Sequence, residues 1–215
     1  MYKIILFDLD GTIIDSSLGV TNSVKYALSK LNIEVKSNQE LLSYMGPPLL
    51  YSFQTFHGLT KEEAEKAIGY YRETYKEKGI FENTVYPGIE ELLVKLKEQG
   101  FVIGLATSKP EKFAEIILEK LGIAKYFDKI CGASLDQSRS EKIDVMKYVL
   151  EKLDVTNNKE VLMVGDRMYD INASNALGID SVGVLFGFGS YEEFEKARAT
   201  YIVNNALEIL NIVKK

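Results

Sequence analysis

The sequence predicts an α/β protein: a doubly wound, mainly parallel Rossmann-like sheet that carries a smaller, all-helical insert. Three patterns carry this expectation. Short aliphatic runs end abruptly in polar turns, amphipathic segments alternate with such runs from Val85 onward, and the stretch between Asp15 and Asn83 shows no convincing strand.

The first strand is read at Lys3 to Phe7, an aliphatic run followed at once by Asp8, Asp10 and Gly11, as suits a buried parallel strand. Further strands are expected at Phe101 to Ala106, Lys129 to Cys131, Glu160 to Val164, Ser181 to Leu185 and Tyr201 to Val203, which makes about six in all. Between them, Pro87-Gly88 opens a helix with Ile89, Leu92, Leu93 and Leu96 on one face, and Gly100 stops it. Pro110 reads as a first-turn residue before Phe113, Ile116, Ile117 and Leu121, and Ser140 as the start of a helix bearing Ile143, Met146, Val149, Leu150 and Leu153.

In the insert, Val20, Val24, Ala27, Leu28 and Leu31 form one stripe, and Leu49, Phe53 and Phe56 form another that ends at Gly58. Ser37 with Glu40, and Thr60 with Glu63, match capping boxes. The expected division is a core of residues 1–14 and 84–215 and a helical cap of 15–83. An insert that follows the first strand emerges at the strand's carboxyl end, where open α/β sheets place ligands. A lid is the role that this placement suggests.

Composition removes several function classes. Apolar residues are 46% and charged residues 27% of 215, which excludes a disordered or collagen-like chain. Asp plus Glu number 31 against 26 Lys plus Arg, so there is no overall basic field for nucleic acid or an anionic membrane. One cysteine (Cys131) and one histidine (His57) leave no intramolecular disulfide or zinc cluster. The run Ile4-Ile5-Leu6-Phe7 is too short for a signal or membrane segment, so a cytoplasmic protein without a membrane partner is expected. No obligatory protein partner is evident either.

Chemistry is concentrated where strands end. Asp8-Leu9-Asp10-Gly11-Thr12 puts two carboxylates directly after an apolar strand, and Val164-Gly165-Asp166-Arg167-Met168-Tyr169-Asp170 brings two more to the same sheet edge. Four gathered carboxylates call for a cation, and hard oxygen ligands suit Mg²⁺. Asp170 is equally readable as an acid that favours a helix N-terminus. Thr107-Ser108 precede a helix start, where the Ser108 hydroxyl could be an ordinary N-cap or bind an anion. Lys142 lies at a helix start, a cation opposed by the macrodipole unless anions compensate it.

Together these segments resemble the haloacid dehalogenase superfamily of aspartate-nucleophile phosphohydrolases. Asp8-Leu9-Asp10-Gly11-Thr12 is similar to its first motif, Ser108 to its second, Lys142 to its third, and Gly165-Asp166 with Asp170 to its fourth; the insert resembles a C1-type cap. Arg167 stands where many relatives have Ser or Thr, and Ile143 where Pro is frequent. Met45-Gly46-Pro47-Pro48-Leu49, Ser108-Lys109-Pro110, Ser134-Leu135-Asp136 and Gly187-Phe188-Gly189-Ser190 resemble the phosphoglycolate phosphatase-like and 5'-nucleotidase-like branch.

The resemblance implies a Mg²⁺-dependent phosphomonoesterase acting on a small phosphorylated metabolite, most simply phosphoglycolate, with nucleoside 5'-monophosphates as the alternative. A phosphosugar mutase or a non-catalytic phosphometabolite-binding module are further alternatives. It implies Asp8 as nucleophile, Asp10 as acid and base, and Asp8, Asp10, Asp166 and Asp170 around the metal. Thr107, Ser108 and Lys142 would bind the substrate phosphate, Thr12 would order the motif turn, and Gly46 and Pro47 would belong to a cap specificity loop.

Overall fold

A computed structural model describes residues 1–136 and 138–214. The chain divides into two compact units, one of Met1–Asp15 with Val85–Lys215, the other of Ser16–Thr84. In chain order the elements are β1 (Ile4–Phe7), β2 (Ile14–Asp15), α1 (Ser17–Lys30), α2 (Asn38–Leu42), α3 (Leu49–His57), α4 (Lys61–Glu77), β3 (Thr84–Val85), α5 (Ile89–Glu98), β4 (Val102–Pro110) and α6 (Glu111–Lys120). Then follow β5 (Lys129–Ala133), α7 (Lys142–Lys152), β6 (Val161–Gly165), α8 (Met168–Leu177), β7 (Asp180–Val184), α9 (Tyr191–Ala197), β8 (Tyr201–Val203) and α10 (Ile209–Val213).

The first unit is the expected α/β fold. Its six-stranded sheet has the order β5-β4-β1-β6-β7-β8, and every pair is parallel. β1 lies centrally, with Ile5 opposite Ile103 on one side and Leu162 on the other. Its residues Ile5, Leu6 and Phe7 are fully buried, which explains a continuous rather than alternating apolar run. Helices cover the sheet with the stripes read from sequence: Ile89, Leu92, Leu93 and Leu96 of α5 are all fully buried. Each such leucine contributes about 1.5–3 kcal/mol by leaving water. Gly100 adopts φ +80° after α5, where the backbone turns in the left-handed region. Cys131 on β5 is buried, and burial pushes its thiol up to about 11, the mark of a structural side chain.

Two helix starts differ from expectation. α6 begins at Glu111, with Pro110 outside it and still paired in β4 opposite Ala133 after a register shift. The neighbouring strand β5 thereby extends β4 past the Ala106 expected as its end. α7 begins at Lys142 with Glu141, not Ser140, as its flanking residue.

The second unit contains α1 to α4. Val20, Val24, Ala27 and Leu28 are buried on α1, and Phe53 is fully buried on α3. Gly58 ends α3 at φ +66°. Thr60 and Glu63 form the complete capping box: Glu63 N–H donates to Thr60 Oγ1 (3.2 Å) and Thr60 N–H to Glu63 Oε2 (2.9 Å). Ser37 forms only half of one, since it accepts from Glu40 N–H while the Glu40 carboxylate accepts from Lys36 N–H instead. Tyr71 and Tyr75 are buried and stacked, 5.2 Å apart, so they are core side chains.

Candidate active site

The carboxyl ends of β4, β1 and β6 are adjacent, and each delivers a residue singled out from the sequence. Asp8 is the first residue beyond β1, and its N–H still donates to Val164 O at 2.9 Å. The chain then turns sharply, with the N–H groups of Thr12, Ile13 and Ile14 all directed at Leu9 O. Gly11 makes the turn at φ +83°, and a Cβ there would overlap the Asp166 carboxylate. These backbone bonds order the turn. Thr12, expected to help order it, does so through its N–H; its hydroxyl is buried and has no hydrogen-bond partner among the described residues.

β6 ends at Gly165, where a side chain would overlap Asp170. Asp166 is 1% exposed; its Oδ2 accepts from Phe188 N–H at 2.9 Å, and its Oδ1 has no hydrogen-bond partner among the described residues. Asp170, in the first turn of α8, fits its helix-terminal reading. Its Oδ2 accepts from Arg167 N–H at 3.1 Å, satisfying a helix-terminal donor, and its Oδ1 forms an ion pair with Lys142 Nζ at 2.8 Å. That second contact lacks hydrogen-bond alignment.

Lys142 is the first residue of α7, and its buried Nζ donates to Asp8 Oδ1 (2.7 Å) and Ala106 O (2.9 Å). Here are the anions that its position at a helix N-terminus demands. Burial works against its charge, but Asp170 and Asp8 outweigh that and raise its affinity for the proton. Even so, one ammonium does not neutralise the centre. Burial pushes Asp8 up to about 6, with Lys142 opposing and Asp170 and Asp10 adding to the rise. Burial, then Asp8 and Asp170, hold Asp166 well above the usual carboxylate range.

Asp8, Asp166 and Asp170 each offer an oxygen, and these oxygens lie within 4.8 Å of one another. An unpartnered buried oxygen on Asp166, hard donors throughout and an excess of negative charge fit a small divalent cation.

The other candidates fall into different places. Asp10 Oδ1 accepts from Lys109 Nζ at 2.7 Å, and the Lys109 side chain is only 7% exposed. Thr107 is buried, its hydroxyl accepting from Lys109 N–H at 3.1 Å. Ser108 is exposed on the irregular extension of β4, so it is not an N-cap of α6. Gly46, at φ +104°, and Pro47 belong to the helical unit, in the connection from α2 to α3, with Pro48 flanking α3. Sequence reasoning missed Phe188 as a backbone donor and Glu193 as the partner of Arg167, 3.0 Å away. Ser190 one turn earlier signals the helix that carries Glu193, but nothing local signals its target.

Comparison with known proteins agrees with this geometry. A family model described as haloacid dehalogenase-like hydrolase matches residues 5–184. A 5'-nucleotidase of Pseudomonas aeruginosa is 37% identical, the match covering 93% of this chain and 90% of that protein. A tyrosine-protein kinase, PtkA, of Mycobacterium tuberculosis is 36% identical over 95% of this chain and 69% of its own length. A phosphoglycolate phosphatase of Vibrio parahaemolyticus is 29% identical over 98% and 96%. The crystal structure of a predicted phosphatase from Clostridium acetobutylicum superimposes with a TM-score of 0.93 at 46% identity, covering 100% of both chains. With the strand-end acids, the lysine and the sheet order in place, the chain belongs to the haloacid dehalogenase-like hydrolase family.

Proposed function

We propose that this hydrolase is a Mg²⁺-dependent phosphomonoesterase in which Asp8 is the nucleophile. The observation that carries the reading is the Asp8 carboxylate at the end of the central strand, bonded to Lys142 and faced by the buried Asp166 and Asp170. Asp8 attacks phosphorus in line; the P–O bond to the leaving alkoxide breaks, and Asp10 protonates that alkoxide. Asp10 then takes a proton from water, which cleaves the aspartyl phosphate and restores Asp8. Lys142 holds Asp8 Oδ1, which leaves Oδ2 as the attacking atom, and helps keep the carboxylate ionised. Lys109 orients Asp10 through its 2.7 Å contact.

Asp8, the Asp10 carbonyl and Asp166, with Asp170 in support, would hold Mg²⁺, which would supply positive charge against which carboxylate and phosphate can approach each other. Thr107, Ser108 and Lys142 bind the remaining phosphate oxygens. The helical unit serves as the cap, with Gly46 and Pro47 in the loop that meets the rest of the substrate.

Asp8→Asn is expected to lower phosphate release by on the order of 10³-fold or more. Rapid quenching with radiolabelled ester should trap label on Asp8 in the unmodified protein. Wild-type-like turnover by Asp8→Asn rejects the nucleophile assignment. For the substrate, the identity of 37% to a 5'-nucleotidase against 29% to a phosphoglycolate phosphatase favours nucleoside 5'-monophosphates, with 2-phosphoglycolate as the second reading. The kcat/KM values for the two compounds decide between them.

A further inference from the structure

The turn that carries Asp166 and Asp170 is gripped from outside by the segment after β7. One grip is the Phe188 N–H on Asp166 Oδ2. The other is Glu193, whose Oε1 accepts from Arg167 Nε at 3.0 Å and from Met168 N–H at 2.7 Å. Arg167 is thus held at both ends, its side chain by Glu193 and its own N–H by Asp170 Oδ2 at 3.1 Å.

Glu193 is itself well anchored. Its N–H donates to Ser190 Oγ at 3.2 Å, and the next residue, Phe194, is fully buried beneath glycines. A Cβ at Gly183 or Gly189 would overlap the Phe194 ring, and one at Gly187 would overlap Gly11 O and Asp166. The segment therefore packs against the acid-bearing turn as a fixed surface. An acid in the first turn of α9 would suit the helix dipole wherever its side chain pointed. Glu193 instead spends one oxygen on two donors of the α8 entry, with its side chain only 19% exposed.

We propose that Glu193 is a positioning residue of the acidic centre: by fixing Arg167 and Met168 it holds Asp166 and Asp170 in register, and so sets the affinity of that centre for Mg²⁺. The proposal rests on the reading of Asp166 and Asp170 as cation ligands. Groups that orient metal ligands from outside typically change affinity by about 10–100-fold when removed.

The test is calorimetric titration of the substrate-free protein with Mg²⁺, alongside thermal unfolding in chelator. Glu193→Ala should weaken Mg²⁺ binding by about tenfold. Glu193→Gln, whose amide oxygen accepts the same two bonds, should stay within about threefold of wild type. Arg167→Met, which removes only the side-chain limb, should weaken binding less and add little in the Glu193→Ala background. A purely structural role would lower the unfolding temperature and leave the Mg²⁺ affinity of the folded protein unchanged. Asp166→Asn separates the two ideas. If it loses Mg²⁺ binding while Glu193→Ala binds like wild type, the positioning role is overturned and the cation reading stands. If Asp166→Asn also binds like wild type, both are overturned. Should Glu193→Ala not fold, wild-type affinity in Arg167→Met overturns the proposal.

Discussion

The two units hold their polar groups in contrasting ways. In the sheet unit the decisive contacts join residues far apart in sequence: Lys142 to Asp8 across 134 positions, Lys109 to Asp10 across 99. In the helical unit the capping bonds span three residues, and the buried Tyr44 hydroxyl, Ser52 hydroxyl and His57 Nε2 have no hydrogen-bond partner among the described residues. Its interior is held instead by aromatic packing, with Tyr44 edge-on to Phe53 at 5.1 Å and to Phe56 at 5.4 Å. Topology organises the acidic centre, whereas the long-range side-chain bonds of the insert, Asn22 to Glu82 at 3.0 Å and Tyr26 to Glu73 at 3.3 Å, lie on its surface over a largely apolar interior. Damage to the first should be severe and chemical, and damage to the second graded and conformational.

The harshest way to break that contrast is Lys142→Ala. It leaves Asp8 and Asp170 buried beside each other without their ammonium, and removing one partner from such a site costs about 3–5 kcal/mol. Denaturant unfolding measures the loss; a change below about 1 kcal/mol would mean that the centre is wetter than its burial indicates. Thr60→Ala is milder, removing one capping box at a cost of about 1 kcal/mol. Hydrogen exchange should quicken at the start of α4 and stay unchanged around Asp8; equal changes in both would abolish the contrast.

The smallest effect should be the pH dependence that His57 gives the insert. Burial holds His57 below its ordinary value, with Glu40 opposing and Lys36 assisting. A histidine lowered in the folded state favours the neutral ring, so its contribution is complete above the unfolded value of about 6.5 and is lost as pH falls from there through the lower folded value. Protection across residues 16–84, corrected for the base-catalysed intrinsic exchange rate, should therefore be lower at pH 5.5 than at 7.5, and His57→Phe should flatten that slope. An unchanged slope in His57→Phe would place the titration on another group.

Much of the fold is legible because aliphatic runs mark buried strands and glycines mark helix ends. Tyr201 to Val203 matches β8 residue for residue, and the α5 stripe is buried as read. The region Thr107 to Pro110 departs from its helix-start reading for a physical reason: hydroxyls followed by proline are helix-start signals, and only the neighbouring strand, pairing Pro110 with Ala133, keeps it extended. The acids and Lys142 are legible from their positions at element ends. Lys109 and Glu193 are not, because a lysine or glutamate beside a helix start looks solvated until the partner from a distant segment arrives. Thr12 shows the converse, a residue beside two candidate acids whose hydroxyl bonds to neither of them.

Cys131 is buried and its thiol holds its proton tightly, so it should be inert to maleimide chemistry in the folded protein. A cysteine introduced on each unit, for example at the exposed Tyr51 and Met168, would then be the sole pair to take up dyes. Each unit would then carry its own reporter, without any background residue having to be engineered away.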